Sequence, residues 1–308
     1  MKIDSTTNAH IGMLLWALIV GTSFPAVGLL SHGLPPLLLT AMRFMIGALA
    51  MLPMIWHRKD RRPHLSGILL YAILGLCLAA FFGAMFWAAH RVTGLTMAAL
   101  SVSVPVLAYA FGRLWGVEPP APRLLAIFAL GTFGSVVLAL AQNNGGDVQI
   151  RFGWDEAVFF LGCFSLALYT VLSKWGLGRH ILSPSSVVRA FWSLVAGAFL
   201  IAAAGLFLEP LALLSRLELR DVLLLSYLGA CSTGATFWLL QRGAGALTPG
   251  TVTAYNYLVP CISLLATVLL RPVVIGFEWV PGSLLVITAI ALLFHNTASR
   301  SDVPTQSR

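Results

Sequence analysis

Apolar runs follow one another along this chain, separated by short clusters of charge, proline and polar residues. Cutting at those clusters predicts helices near residues 11–30, 35–56, 65–89, 92–117, 122–141, 154–174, 187–208, 219–241, 246–271 and 277–295. A bilayer crossing needs roughly 20 apolar residues, so the pattern predicts an all-α polytopic membrane protein of ten transmembrane helices with short turns between them. Pro35, Pro36, Pro63, Pro119, Pro120, Pro122, Pro184 and Pro210 fall at the proposed ends, where a missing N–H costs least. The narrowest separations are His90-Arg91, between the third and fourth spans, and the boundary between the ninth and tenth.

Composition agrees with that pattern and narrows the function. Of 308 residues, 58% are hydrophobic and only 10% charged, well below the quarter or so of charged residues in soluble domains. A soluble enzyme, a disordered protein and a nucleic-acid binder are therefore excluded, and no room is left for a sizeable extramembrane domain. Cys77, Cys163, Cys231 and Cys261 are widely spaced and lie in apolar stretches, which makes them small packing residues; no metal or other cofactor is expected. The apolar run from Ile11 to Leu30 is longer than a signal-peptide core and reads as an uncleaved first span.

The net charge of +8 sits in the turns. With ten spans, twelve of the 19 Lys and Arg residues fall on the face that carries both termini, four of them at Arg58, Lys59, Arg61 and Arg62; five fall on the other face, and Arg43 and Arg189 lie within spans. This bias predicts cytoplasmic termini, residues 1–10 and 296–308.

Residues 92–105 (VTGLTMAALSVSVP) and 247–260 (LTPGTVTAYNYLVP) align at an offset of 155 residues, close to half the chain. Their five identities are Thr93/Thr248, Thr96/Thr251, Ala99/Ala254, Val104/Val259 and Pro105/Pro260. Two halves of five spans are necessarily inverted with respect to each other. The predicted organisation is thus two inverted five-helix repeats, residues 11–141 and 154–295, joined by residues 142–153, an architecture suited to alternating access.

Val20-Gly21-Thr22-Ser23-Phe24, Arg43-Phe44, the span ending in Pro105 and Gly116-Val117-Glu118 together resemble the repeated EamA domain of the drug/metabolite transporter superfamily. So do residues 168–174 (LYTVLSK), Tyr257-Leu258-Val259-Pro260 and Glu278 in the second half. The resemblance covers about residues 11–295. It implies a ten-helix carrier of a plasma membrane, the bacterial inner membrane, exporting small metabolites, amino acids or drug-like solutes. Two departures stand. Val20 replaces the family's usual Trp, and 18 residues separate Pro260 from Glu278 where 13 separate Pro105 from Glu118, which leaves the role of Glu278 open.

Candidate binding residues follow from polarity at membrane depth. Arg43 lies eight residues after Pro35, roughly 12 Å along a helix. An unpaired guanidinium there is costly, so it either meets substrate or a gate, or bonds helix carbonyls across the bundle. Arg189 is closer to a span end and is expected to snorkel to the surface. Pro25, Pro105 and Pro260 bend their helices. Thr22, Ser23 and Phe24 before the first, and Ser101, Tyr255, Asn256 and Tyr257 before the other two, either line a cavity or serve their own helix. Phe86, Trp87, Tyr169, Thr170 and Trp238 add aromatic and hydroxyl character, as cavity lining or interface belt. All 11 acidic residues sit near span ends or in turns and tails, leaving His90 as the candidate for coupling to protons. Gly75, Ala79 and Gly83 form a small-residue ladder for close helix approach.

The partners expected are a small-molecule substrate, the lipid bilayer and protons as coupling ion, with no nucleic acid; the oligomeric state does not follow from the residues. Two other classes compete with a carrier. An intramembrane enzyme would need a catalytic set at membrane depth, and no GxSxG, HExxH or aspartate pair is found. A channel or non-transporting subunit would want a filter-like loop, which is not visible.

Overall fold

The computed structural model describes residues 5–88, 91–142, 153–270 and 277–301. Every regular element among them is helical. The helices are α1 (Ser5–Val27), α2 (Pro36–Ile55), α3 (Leu65–Ala88), α4 (Gly94–Ser101), α5 (Val104–Leu114), α6 (Pro122–Gln142) and α7 (Trp154–Gly178). They continue as α8 (Ser186–Leu208), α9 (Leu219–Tyr227), α10 (Thr236–Ala246), α11 (Pro249–Ala254), α12 (Leu258–Leu270) and α13 (Trp279–Ser301). A π-helical stretch, Leu228–Ala235, joins α9 to α10, and a 3₁₀ turn, Tyr255–Tyr257, joins α11 to α12. Eight helical stretches are long and apolar enough to cross a membrane, with Trp279–His295 a shorter apolar helix.

The outer face of the bundle is apolar at Leu14, Leu18, Leu69, Leu76, Phe133, Leu161, Phe199 and Phe207, all exposed, while Thr40, Thr170, Ser193, Thr233 and Gln241 are buried. That inversion of the soluble pattern suits lipid as the surrounding solvent. Residues 5–10, expected as part of the N-terminal tail, instead extend α1 by about one and a half turns, and Ala9 and His10 are buried. No Gly or Pro interrupts Ser5–His10, so nothing in this segment stops the helix.

The stretches expected as the fourth and ninth spans are each broken, and broken alike. Thr93 caps α4 by accepting the Thr96 N–H at 3.2 Å, and its hydroxyl lies 2.9 Å from that of Thr96. Thr248 caps α11 by accepting the Thr251 N–H at 3.4 Å, again with 2.9 Å between hydroxyls. Downstream, Pro105 and Pro260 cannot donate to the carbonyls four residues back, those of Ser101 and Asn256, and the helices interrupt there before α5 and α12 resume. Three of the five residue identities that suggested an internal repeat, Thr93/Thr248, Thr96/Thr251 and Pro105/Pro260, are therefore capping and breaking residues of two similar discontinuities.

Packing between the halves is reciprocal. α2 packs on α8, α6 on α13 and α5 on α11; α3 meets α7 as α10 meets α1, α3 meets α8 as the π stretch meets α2, and α5 meets α7 as α12 meets α1. Exchanging α1 with α7, α2 with α8, α3 with α9–α10, α4–α5 with α11–α12 and α6 with α13 maps these contacts onto one another. Small residues carry the closest crossings: Gly75 against Ala196 and Gly197, Gly47 against Gly229 and Gly234, and Gly134 against Gly282. Between helices already in lipid there is little apolar area to remove from water, so such close backbone approach supplies dispersion contacts instead.

The ladder on α3 divides. A Cβ on Gly75 would lie 2.5 Å from the Ala196 Cβ and 2.6 Å from the Gly197 nitrogen, whereas one on Gly83 meets nothing within 4 Å. Gly75→Val is therefore expected to lower the melting temperature of the detergent-purified protein by several degrees, the result of about 1–3 kcal/mol of overpacking, while Gly83→Ala leaves it unchanged. Equal melting of the two variants would show that α3 and α8 do not meet at this glycine.

Candidate functional site

Aromatic side chains from four helices gather around Phe44 of α2. Its ring meets Phe82 edge-on at 5.1 Å and Phe237 at 6.0 Å; Phe81 meets Phe82 edge-on at 5.2 Å, and Tyr169 meets Phe237 at 5.9 Å. These contacts join α2 and α3 of the first half to α7 and α10 of the second. The residue before Phe44 is Arg43, only 9% exposed. Its Nε has no hydrogen-bond partner, and no polar contact among the described residues involves its guanidinium.

Arg43 lies where α2 crosses the π-helical stretch. A Cβ on Gly229 would lie 3.2 Å from the Arg43 carbonyl oxygen, and one on Gly47, a turn later, 2.9 Å from the Gly229 oxygen. Widening to π geometry changes which carbonyls find a partner. Thr236 donates its hydroxyl to the Ser232 oxygen at 2.6 Å and the Thr233 oxygen at 3.1 Å. Such π interruptions recur at functional sites because they aim backbone groups out of the helical ladder.

Arg189 shows the opposite state of the same side chain. The expectation that it snorkels to the surface is corrected: it is 2% exposed and bonded through all three nitrogens. Its Nε donates to Gln241 Oε1 at 3.0 Å, Nη2 to the Gln241 carbonyl at 2.7 Å, and Nη1 to the carbonyls of Ser183 and Pro184 at 2.8 and 2.9 Å. Gln241 in turn donates to Tyr169 Oη at 2.8 Å and Ser173 Oγ at 2.9 Å. The α7–α8 connection folds its carbonyls back over the first turn of α8, so the guanidinium reaches acceptors without leaving the bundle.

The hydroxyls expected near the prolines mostly serve their own helices. Thr22 donates to the Leu18 and Ile19 carbonyls, Ser23 to Val20, Ser101 to Ala98, Thr170 to Ala167, and Asn256 to Thr253. The tyrosines around the second break point outward from it instead. Tyr255 meets His10 of α1, and Tyr257 meets Thr132 of α6 at 3.2 Å. Trp87 is 42% exposed, donates to Asp155 Oδ1 at 2.8 Å and carries the Arg91 guanidinium 3.8 Å above its ring, so it bridges α3 to α7 at a rim. Phe86 and Trp238 are partly buried, and Pro25 lies two residues before the end of α1. His90 and the Phe24 side chain lie outside the described residues.

Sequence reasoning missed His10, Phe81, Phe82, Phe237, Gln241 and the job of the carboxylates. Gln241, a lone amide in an apolar run, carried a usable signal; the phenylalanines carried none, being indistinguishable from lipid-facing ones. The described acidic residues lie near helix ends as expected, and several of them bind across the halves. Glu118 accepts the Gly250 N–H at 2.9 Å; Glu209 accepts those of Leu37 and Leu38 at 2.8 and 2.9 Å. Asp221 accepts the Ser31 N–H at 3.0 Å, and Asp60 accepts from Ser183. Glu118 and Glu209 thus sit on the first turns of α11 and α2, where unpaired N–H groups and the helix dipole favour a carboxylate. Glu278 is exposed, so the two halves differ at this position, as the unequal spacing from their prolines foreshadows.

Comparison with known proteins accords with this architecture. The sequence pattern of the EamA-like transporter family matches residues 7–140 and again residues 154–295. The chain is 25% identical over 280 residues to a protein of Escherichia coli K12 named as an uncharacterized inner membrane transporter, YedA, covering 89% of this chain and 86% of that one. It is 26% identical over 290 residues to another from the same strain named as a probable amino-acid metabolite efflux pump, covering 90% and 91%. A crystal structure at 20% identity shares the fold with a TM-score of 0.74 over 96% of this chain and 99% of the other.

Glu118→Ala removes the acceptor from the buried first turn of α11. Its expected cost is about 1–2 kcal/mol, read as a lower melting temperature, while Glu278→Ala is neutral. Equal effects at the two positions would show that the contact between Glu118 and Gly250 does not hold α11.

Proposed function

The chain belongs to the EamA-like transporter family, and on that premise we propose that it is a secondary active carrier exporting small metabolites by alternating access. Counting the broken pairs α4–α5 and α11–α12, and α9 with α10, as one crossing each, it spans an inner membrane ten times as two inverted five-helix repeats with both termini cytoplasmic. The observation that carries this reading is the reciprocal packing of the two matched segments, because two equivalent bodies meeting over small residues can rock between two equivalent arrangements. The excess of Lys and Arg on the face with the termini supports the orientation.

The substrate is an amino acid or a similar amphipathic solute, held between the halves with its apolar part on Phe44, Phe82, Phe237 and Tyr169 and its anionic group on Arg43. Arg43 is buried without an acceptor, and a carboxylate is the group whose geometry a guanidinium matches best. The name of the Escherichia coli relative, an amino-acid metabolite efflux pump, points the same way. Trp238 and Phe86, partly buried on α10 and α3, extend the apolar wall. Binding must differ little in free energy between the two arrangements, since release is as necessary as capture.

The test is accumulation of a labelled panel of amino acids, nucleosides and aromatic toxins in cells with and without the protein, each with and without a protonophore. Lower accumulation of one class, abolished by the protonophore, is the expected result; higher accumulation would make the protein an importer, and no difference for any compound would count against a carrier. For the solute identified, Arg43→Gln is expected to raise the half-saturating concentration about 10- to 100-fold, the equivalent of one charge-assisted hydrogen bond, with Arg43→Lys between the two. Unchanged transport at equal expression would remove Arg43 from the binding site.

A further inference from the structure

His10 is the one ionisable side chain on α1, and the structure buries it to 1% exposure. Its Nδ1 lies 2.6 Å from Tyr255 Oη, and the Phe294 ring lies 5.0 Å from its own; Nε2 is buried with no partner. Tyr255 is itself fully buried, and it occupies the first position of the 3₁₀ turn that interrupts the helix between α11 and α12. One hydrogen bond thus ties the first half of the chain to the helix break of the second.

We propose that His10 and Tyr255 form the proton-binding site of this carrier, and that loading it loosens α1 from the α11–α12 break. This rests on the carrier reading above and replaces His90 as the coupling group.

A neutral imidazole offers one donor and one acceptor, and the contact with Tyr255 uses one of them. Binding a proton from water leaves both ring nitrogens as donors. Nδ1–H then donates to the Tyr255 oxygen, the Tyr255 O–H must turn to another acceptor, and Nε2–H has none. Among the described residues the added charge has no counter-charge nearby. Of the elements that pack on α1, the 3₁₀ turn carries Tyr255 and Tyr257, with Tyr257 bonded to Thr132; α10 carries Arg242 and α13 carries His295, both exposed; α12 carries Cys261 and the π stretch the exposed Cys231. α13 also carries Arg300, and none of these elements carries a carboxylate; Glu118 caps α11 at Gly250, five residues before Tyr255.

An imidazolium without a counter-ion is costly at membrane depth, so the conformation seen here holds His10 neutral. The protonated form binds to a conformation in which water reaches the cleft between α1, α12 and α13. Protonation and opening are then linked equilibria: lowering the pH shifts the population toward the open cleft, and raising it restores the packed one. The 3₁₀ turn is suited to respond, because Pro260 already denies the Asn256 carbonyl a helical partner and the segment can re-form its bonds at little cost.

The experiment is hydrogen–deuterium exchange of the full chain in lipid nanodiscs between pH 5.5 and 8, corrected for the intrinsic exchange rate, so that no solute is needed. In the wild type, residues 5–16 and 249–262 are expected to exchange roughly tenfold faster or more at the acidic end. His10→Gln, which keeps a donor and an acceptor but cannot titrate, should be flat across this range, and Tyr255→Phe should shift the midpoint while leaving a pH response. Exchange at residues 65–88 serves as the internal reference for both variants, and a melting temperature near wild type at pH 8 shows that each folds. A pH-independent wild type, or a response that survives in His10→Gln, overturns the proposal; the carrier reading stands or falls separately on the accumulation panel.

Discussion

A backbone N–H or C=O left bare in hydrocarbon costs several kcal/mol, and most polar side chains inside this protein answer to that constraint. Where helices run unbroken the ladder satisfies itself. Where they break or begin, a side chain takes over: Thr93 and Thr248 at α4 and α11, Thr236 on the π stretch, Glu118 on α11 and Glu209 on α2. Because the carboxylates at these helix starts come from the opposite half, the same contacts that complete the helices also hold the two halves together. Their strength depends on geometry that a rigid-body rotation would change, so the alternating access proposed above would have to exchange them.

Against that background a buried polar group without a partner is informative. Arg189 shows that the fold is able to enclose a guanidinium with four hydrogen bonds, which makes it a structural pin between α8, α10 and the α7–α8 connection. Arg43 is enclosed to a similar degree and has none of these, and its neighbour Phe44 anchors an aromatic cluster drawn from both halves. His10 has one bond where two would satisfy it. These two side chains keep unused hydrogen-bonding valence, which the proposals above assign to an anionic solute in the first case and to a proton in the second.

The helix breaks and the small-residue crossings act together. Gly47 against Gly229 and Gly234, and Gly75 against Gly197, bring backbones into close contact at the crossings between halves, while one crossing helix of each half is interrupted, at residues 102–103 and 255–257. Close backbone crossings and breaks within the helix are the features that the rocking proposed above would use.

Much of this was legible in the residues themselves. The spacing of charges and prolines located nearly every helix, since a bilayer imposes one length on all crossings, and the repeat was visible because equivalent breaks need equivalent caps and prolines, hence Thr93 and Thr248, Pro105 and Pro260. Other features depended on which side of a helix faces what. In a chain that is apolar all round, periodicity does not separate lipid-facing from core-facing positions, so Phe82 and Phe237 were indistinguishable from Phe133 and Phe199. Nor could distance along the chain show that His10, placed in a tail, meets Tyr255 across 245 residues, or that Arg189 is bonded and Arg43 is not. The sequence by itself determined the solvent and the helices, because these follow from local composition and length; only the tertiary structure decided the partners of each buried polar group, because hydrogen-bond satisfaction is set by neighbours that lie far apart in the chain.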